Sequence, residues 1–356
     1  MRMKSWFAGL AVAIILQMIA VPVIHAASLG QILGQTAAEW LVTKEIIRQY
    51  HYQKYSYLND MKREVGVNEQ PRANDQLKDI AERLLKTVAQ REKVEAPPYT
   101  FFVNNKKEMN AYCGLGHNIT VNIGTFEFFD YNDDELAVVI AHEMGHGQRN
   151  HGLNSIDKQV PFMLVHRIYL ARNNNTLSGL TSYLFFRQMM AKNATLPGER
   201  EADALSFDWA TAAGYNPGAG AAAWTKVRAK YGDKQPNFLG ELLSPSDHPT
   251  QGQRIDYFAK RMTEYSGGQV KVNAGQVYIK DNPVMIPAKT GSLSAEERAY
   301  LIAGNLAKAV HNNPAPDPAQ VVDGYILMGD MVITTPTEQD EPAETIAGRM
   351  NEALEL

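Results

Sequence analysis

The chain has 356 residues, 45% hydrophobic and 21% charged, with a formal net charge of −4 and one cysteine, Cys113. This is ordinary for a globular protein with a sizeable core. The mildly acidic balance and lack of a long basic run argue against nucleic acid as a partner, and one cysteine excludes an intrachain disulfide.

At the start, Arg2 and Lys4 precede an apolar run from Trp6 to Ile24, followed by small residues at Ala26 and Ala27. Residues 1–26 therefore read as a secretory signal, and the remainder as an exported chain of the periplasm or cell surface. The run is nearly long enough to span a bilayer, so an uncleaved anchor is the alternative. Apolar residues then recur at helical spacing over 30–61, predicting one or two amphipathic helices, and again over 75–90. Next, "YTFFVN" (99–104) and "NITVNIG" (118–124) read as strands, joined through "MNAYCGLGH".

Asp133 and Asp134 stand where an N-cap and first-turn acids belong, opening a helix that runs into His142. Between 152 and 197 lie two apolar pieces, "FMLVHRIYL" and "LTSYLFFRQMM". Each is too short and too interrupted by charge to cross a membrane. They read as core, with peripheral membrane or envelope contact as the alternative. Further helices are expected over 199–213, 218–231 and 249–265, and "SGG" at 266–268 marks a boundary. The tail alternates strand ("QVKVNAGQVYI"), helix (294–309), strand ("GYILMGDMVITT") and helix (342–354), with no evident internal repeat. The expected architecture is α+β and mainly helical. A main domain over 27–267 is followed by a small α+β accessory module over 268–356, which could bind a further partner.

The helix after Asp133 carries His142-Glu143-Met144-Gly145-His146, a His-Glu-x-x-His pattern. Histidines four apart project from one helix face and can share one zinc ion, with Glu143 placed as general base. Glycine inside a helix costs about 1 kcal/mol, so Gly145 calls for close packing near the metal. A catalytic zinc needs a third protein ligand and an open position. Cys113 is one candidate, on the strand side. The better one is "EREAD", where Glu199 and Asp203 share a helix face. There Glu199 can bind zinc while Asp203 accepts from the other ring nitrogen of a ligand histidine. Glu201 is expected to be solvated, and His151 to cap or pack at the helix end.

Four segments in this order, "NAYCGLGHNITVNIG", "DDELAVVIAHEMGHGQRNH", "EREAD" and "SDHPTQGQRI", resemble the zinc metallopeptidases of the HtpX, CAAX prenyl protease and BepA type, over about residues 70 to 265. The resemblance implies a zincin-like domain with a small edge sheet. It implies one zinc held by His142, His146 and Glu199, with Glu143 activating water and Asp203 orienting a ligand. Asn110 would hold substrate backbone from an edge strand. His248 would contact the scissile carbonyl or oxyanion, or else cap the metal in a latent form. Arg254 would support that loop or bind a substrate carboxylate. The substrate would be an unfolded or extended polypeptide, in misfolded or misassembled envelope proteins. The alternative is a latent zinc-binding holdase or scaffold. Membrane-spanning helices of the integral members and the tetratricopeptide repeats of BepA-type proteins are not visible in this sequence.

Overall fold

The structure is a computed structural model and describes residues 29–154, 164, 196–233, 249–313 and 315–355. The expected signal, His248 and, apart from Leu164, both apolar pieces lie outside these residues. Among the described residues no helix is long and apolar enough to cross a membrane. The chain is mainly helical α+β, as expected.

Helices α1 (Leu29–Tyr52), α2 (Lys54–Val65) and α3 (Pro71–Arg91) come first. Proline opens α3 at a position where its missing N–H costs nothing, and Leu77, Ile80, Leu84 and Val88 turn one buried stripe inward. A three-stranded sheet follows, ordered β1 (Thr100–Asn104), β3 (Asn118–Asn122), β2 (Ala111–Gly114). Strand β1 runs parallel to β3, and β2 antiparallel to it. Two details differ from the sequence reading. The linking segment contains β2, a strand at the sheet edge. Ile123 and Gly124 leave β3 to begin a short helix α4 (Ile123–Phe128), where the backbone of Lys107 lies too close for any side chain at 124.

Helix α5 (Asp133–Gln148) is the structural axis of the site. Asn132 caps it, its side chain accepting from Glu135 N–H at 3.1 Å. Leu136, Ile140 and Met144 are fully buried, each stabilising by roughly 1.5–3 kcal/mol. It packs on α3, β2, α6 (Leu196–Ala212) and α7 (Ala219–Tyr231). Helix α8 (Gln251–Tyr265) starts on a capping box between Thr250 and Gln253.

The tail is an α+β unit, but it holds an internal repeat that the sequence reading missed. β4 (Val270–Asn273), β5 (Gln276–Ile279), β6 (Asn282–Met285) and α9 (Ala295–Val310) form the first copy. β7 (Ala319–Val322), β8 (Tyr325–Met328), β9 (Met331–Thr334) and α10 (Ala343–Leu354) form the second. The first apparent long strand is the β4–β5 hairpin, turned at Ala274-Gly275; the second is the β8–β9 hairpin, and β7 precedes it across a turn at Asp323-Gly324, all four named turn residues having positive φ. That is the two-residue hairpin chemistry, which favours Gly, Asn and Asp, with Ala274 the exception. The copies interlock: α9 packs on β4, β5 and β9, and α10 on β7, β8 and β6. Helix α9 also packs on α7 and α8, so a single apolar cluster runs from α3 and α5 into both copies.

Candidate metal centre

His142 and His146 lie one turn apart on α5, and their Nε2 atoms are 3.1 Å from each other. Glu199 enters from the first turn of α6, with its oxygens 3.5 Å from His142 Nε2 and 3.3 Å from His146 Nε2. Among the described residues this is the one group of histidine, cysteine or acid side chains able to share a metal ion, its ligand atoms all within 4.8 Å. Two imidazole nitrogens and one carboxylate oxygen form the donor set of a catalytic zinc, three protein ligands leaving a position open. Cys113 is not part of it; its thiol lies against Gly147 on the sheet side.

The two helices meet closely enough for this only because of glycine. A Cβ at Gly145 would stand 3.2 Å from Ala202 Cα. The expected reason for Gly145 is therefore present, a helix crossing one residue from the ligand His146.

Glu143 is buried beside the ligands and accepts from Cys113 N–H at 2.9 Å. Burial pushes its carboxyl above the usual range, aided by Glu199 and opposed by His142 and His146. A carboxyl shifted upward is better matched to moving a proton near neutral pH. Asp203 Oδ1 lies 3.0 Å from His142 Nδ1, fixing that ring with Nε2 toward Glu199. Burial alone would raise the Asp203 carboxyl. Arg254 and His142 outweigh it and hold Asp203 below its ordinary value. Burial likewise pulls His142 down, while Asp203 and Glu199 carry it up to about 9.

Arg254 is buried, pairs with Asp203 and lies 3.5 Å above the centre of the Trp224 ring. Asn110 sits just before β2. Its N–H donates to Thr125 Oγ1 and its carbonyl accepts from Asn122 N–H, while its side-chain oxygen is buried without a hydrogen-bond partner among the described residues. His151 and Glu201, which the sequence reading set aside, stand behind the second ligand. His146 Nδ1 is 2.9 Å from His151 Nδ1, and His151 Nε2 is 3.2 Å from Glu201 Oε2. The signal available in sequence was their company: "HGQRNH" follows the motif and Glu201 lies between Glu199 and Asp203.

Known proteins resemble this chain in sequence. The chain is 26% identical over 157 residues to the beta-barrel assembly-enhancing protease of Yersinia pestis, covering 42% of this chain and 29% of that protein. It is 29% identical over 171 residues to the mitochondrial metalloendopeptidase OMA1 of Arabidopsis thaliana, covering 47% and 32%. It is 24% identical over 230 residues to a putative beta-barrel assembly-enhancing protease of Vibrio cholerae, covering 59% and 43%. The chain thus matches less than half the length of each of these relatives. The model of Peptidase family M48 matches residues 71–262. That span takes in more than half the chain, from the helix behind the sheet to the helix that carries Arg254, and the chain belongs to Peptidase family M48.

Proposed function

We propose that this chain is a zinc-dependent endopeptidase that hydrolyses bonds in extended or unfolded polypeptides. The observation that carries this reading is the convergence of His142, His146 and Glu199 with the buried Glu143 alongside. A zinc ion held by His142, His146 and Glu199 would supply a Lewis acid for the scissile carbonyl and would lower the pKa of a water to about 7. Glu143, held by Cys113 N–H, accepts the proton of the attacking water and passes it to the leaving amine. Asp203 keeps His142 in the tautomer that directs Nε2 inward, and Arg254 keeps Asp203 ionised. We therefore assign Arg254 to positioning rather than to a substrate carboxylate.

Substrate lies along β2, which pairs only with β3 among the described residues and faces α5. An extended peptide can add to such an edge, with the Asn110 side-chain amide, whose oxygen is unsatisfied, as a further contact. His248 serves the oxyanion in this reading, on the strength of the family resemblance; such a donor supplies roughly 3–4 kcal/mol. The basic residues and apolar run at 2–24 support export, and the names of the Yersinia and Vibrio relatives support envelope proteins as substrates. The test is metal content and digestion of unfolded protein, comparing wild type with Glu143→Gln. Equal hydrolysis by the variant would overturn the mechanism. Zinc-free, inactive wild type would overturn the metal assignment.

A further inference from the structure

We propose that His151 and Glu201 form a positioning relay for the metal ligand His146, equivalent to what Asp203 does directly for His142. The inference rests on the zinc reading above and deepens it.

The chain path requires explanation first. On an unbroken α-helix, residues five apart are about 140° apart around the axis and do not face each other. His146 and His151 nevertheless have ring centroids 5.0 Å apart at 73°. The helix ends at Gln148, and Asn150 takes a left-handed conformation with φ 51°. Asparagine is one of the few non-glycine residues that does so readily. His117 Nε2 lies 3.1 Å from the Asn150 side chain and holds the break. The turn carries His151 back over His146. Gly198, next to the ligand Glu199, leaves room for the ring: a Cβ there would be 3.3 Å from His151 Nδ1.

Proton placement then follows from the network. With His146 Nε2 facing the metal ligands, its proton is on Nδ1 and donates to His151 Nδ1 at 2.9 Å. His151 is thereby assigned its proton on Nε2, which donates to Glu201 Oε2 at 3.2 Å. Glu201 is itself fixed by Arg149, whose Nε donates to Oε1 at 3.1 Å while Nη1 donates to Glu92 Oε2 at 2.7 Å. Each ligand histidine thus ends on a carboxylate of α6: His142 on Asp203, and His146 on Glu201 through a second ring. Three acids of "EREAD" then act on one metal centre, one as ligand and two behind the ligands. Glu201, which the sequence places away from the Glu199–Asp203 face, reaches the site only because His151 extends toward it.

Zinc affinity of the whole chain, measured by competition with a chromophoric chelator, tests this alongside the melting temperature of the metal-free protein. His151→Ala should weaken zinc binding about 10- to 100-fold, as expected for loss of a ligand's hydrogen-bond partner. Glu201→Ala should shift it the same way by less. His151→Asn, whose amide oxygen stands near the place of Nδ1 and can accept from His146, should recover part of the loss. The metal-free melting temperature of Glu201→Ala should match wild type, which keeps the test valid if His151→Ala folds poorly. Unchanged zinc affinity in Glu201→Ala or in a folded His151→Ala overturns the relay. So does His151→Asn binding no better than His151→Ala, since ring packing alone would then explain the effect. Wild type that takes up no zinc would overturn the zinc reading itself; zinc-binding wild type with unaffected variants overturns the relay alone.

Discussion

Gly145 and Ala202 mark the point where the two ligand-bearing helices touch, a Cβ at 145 standing 3.2 Å from the Ala202 Cα. The neighbour is backbone, so it cannot yield by rotating a side chain. Gly145→Val should separate α5 from α6 and cost about 1–3 kcal/mol through overpacking. Zinc affinity should fall with it, because His146 and Glu199 sit on opposite sides of the contact. Chelator competition and thermal melting check both effects. Wild-type zinc affinity in this variant would show that the crossing does not set ligand spacing.

Arg254 gives a way to separate a positioning role from a substrate role. Its removal leaves the buried Asp203 carboxylate without its main counter-charge. Arg254→Ala should therefore destabilise the protein by about 3–5 kcal/mol at neutral pH, read by urea unfolding in the absence of substrate. A residue that serves only a substrate carboxylate would leave that unfolding curve in place.

Glu135 stands in the first turn of α5 but is fully buried, and burial pushes its carboxyl up to about 8, with Lys226 opposing and Glu297 adding to the shift. The ordinary value is 4.5. Between those two values the unfolded chain ionises Glu135 while the folded chain keeps it protonated. The folded state binds more protons there, so this group's contribution to stability falls as pH rises from about 4.5 to about 8. Glu135→Gln should remove that slope. Its melting temperature should exceed wild type at pH 8 by more than at pH 5; equal differences at both would argue against a protonated Glu135.

Asn216 ties the metal helix to the tail. Its N–H donates to Asp134 at 2.9 Å, and its side chain donates to the Leu301 carbonyl and Asn305, each at 2.9 Å. Its Oδ1 also accepts from Gly218 N–H at 2.7 Å. Asn216→Ala should strand several of these groups at about 1–3 kcal/mol each if they remain buried. Truncation after Gly268 should do more, exposing the faces of α7 and α8 that α9 covers. Loss of cooperative melting in the truncated chain is the expected result. A truncated chain melting like the full one would mean that the shared apolar cluster contributes little.

Much of this molecule was legible locally. The helix of residues 133–148, its two histidines, Gly145 as a packing glycine, and Glu199 with Asp203 on one face all follow from 3.6-residue periodicity and ligand chemistry. The same rules should have found the tail hairpins. "NAGQ", "VDGY" and "MGDM" carry turn residues between apolar stretches, and reading β4–β5 and β8–β9 as one strand each, with β7 in a loop, hid the repeat. The direction of Arg254 was not legible, because a guanidinium between a carboxylate and an indole is decided by helices that meet far apart in sequence.

Helical spacing was enough to single out the histidines that could hold zinc, since two histidines four apart on a helix face one way whatever surrounds them. What stands behind them comes from packing. His151 leaves the helix and returns through the left-handed turn at Asn150, and Glu201 meets it from a different helix across the Gly145–Ala202 contact. Such contacts depend on packing between distant segments, which no local window of sequence encodes.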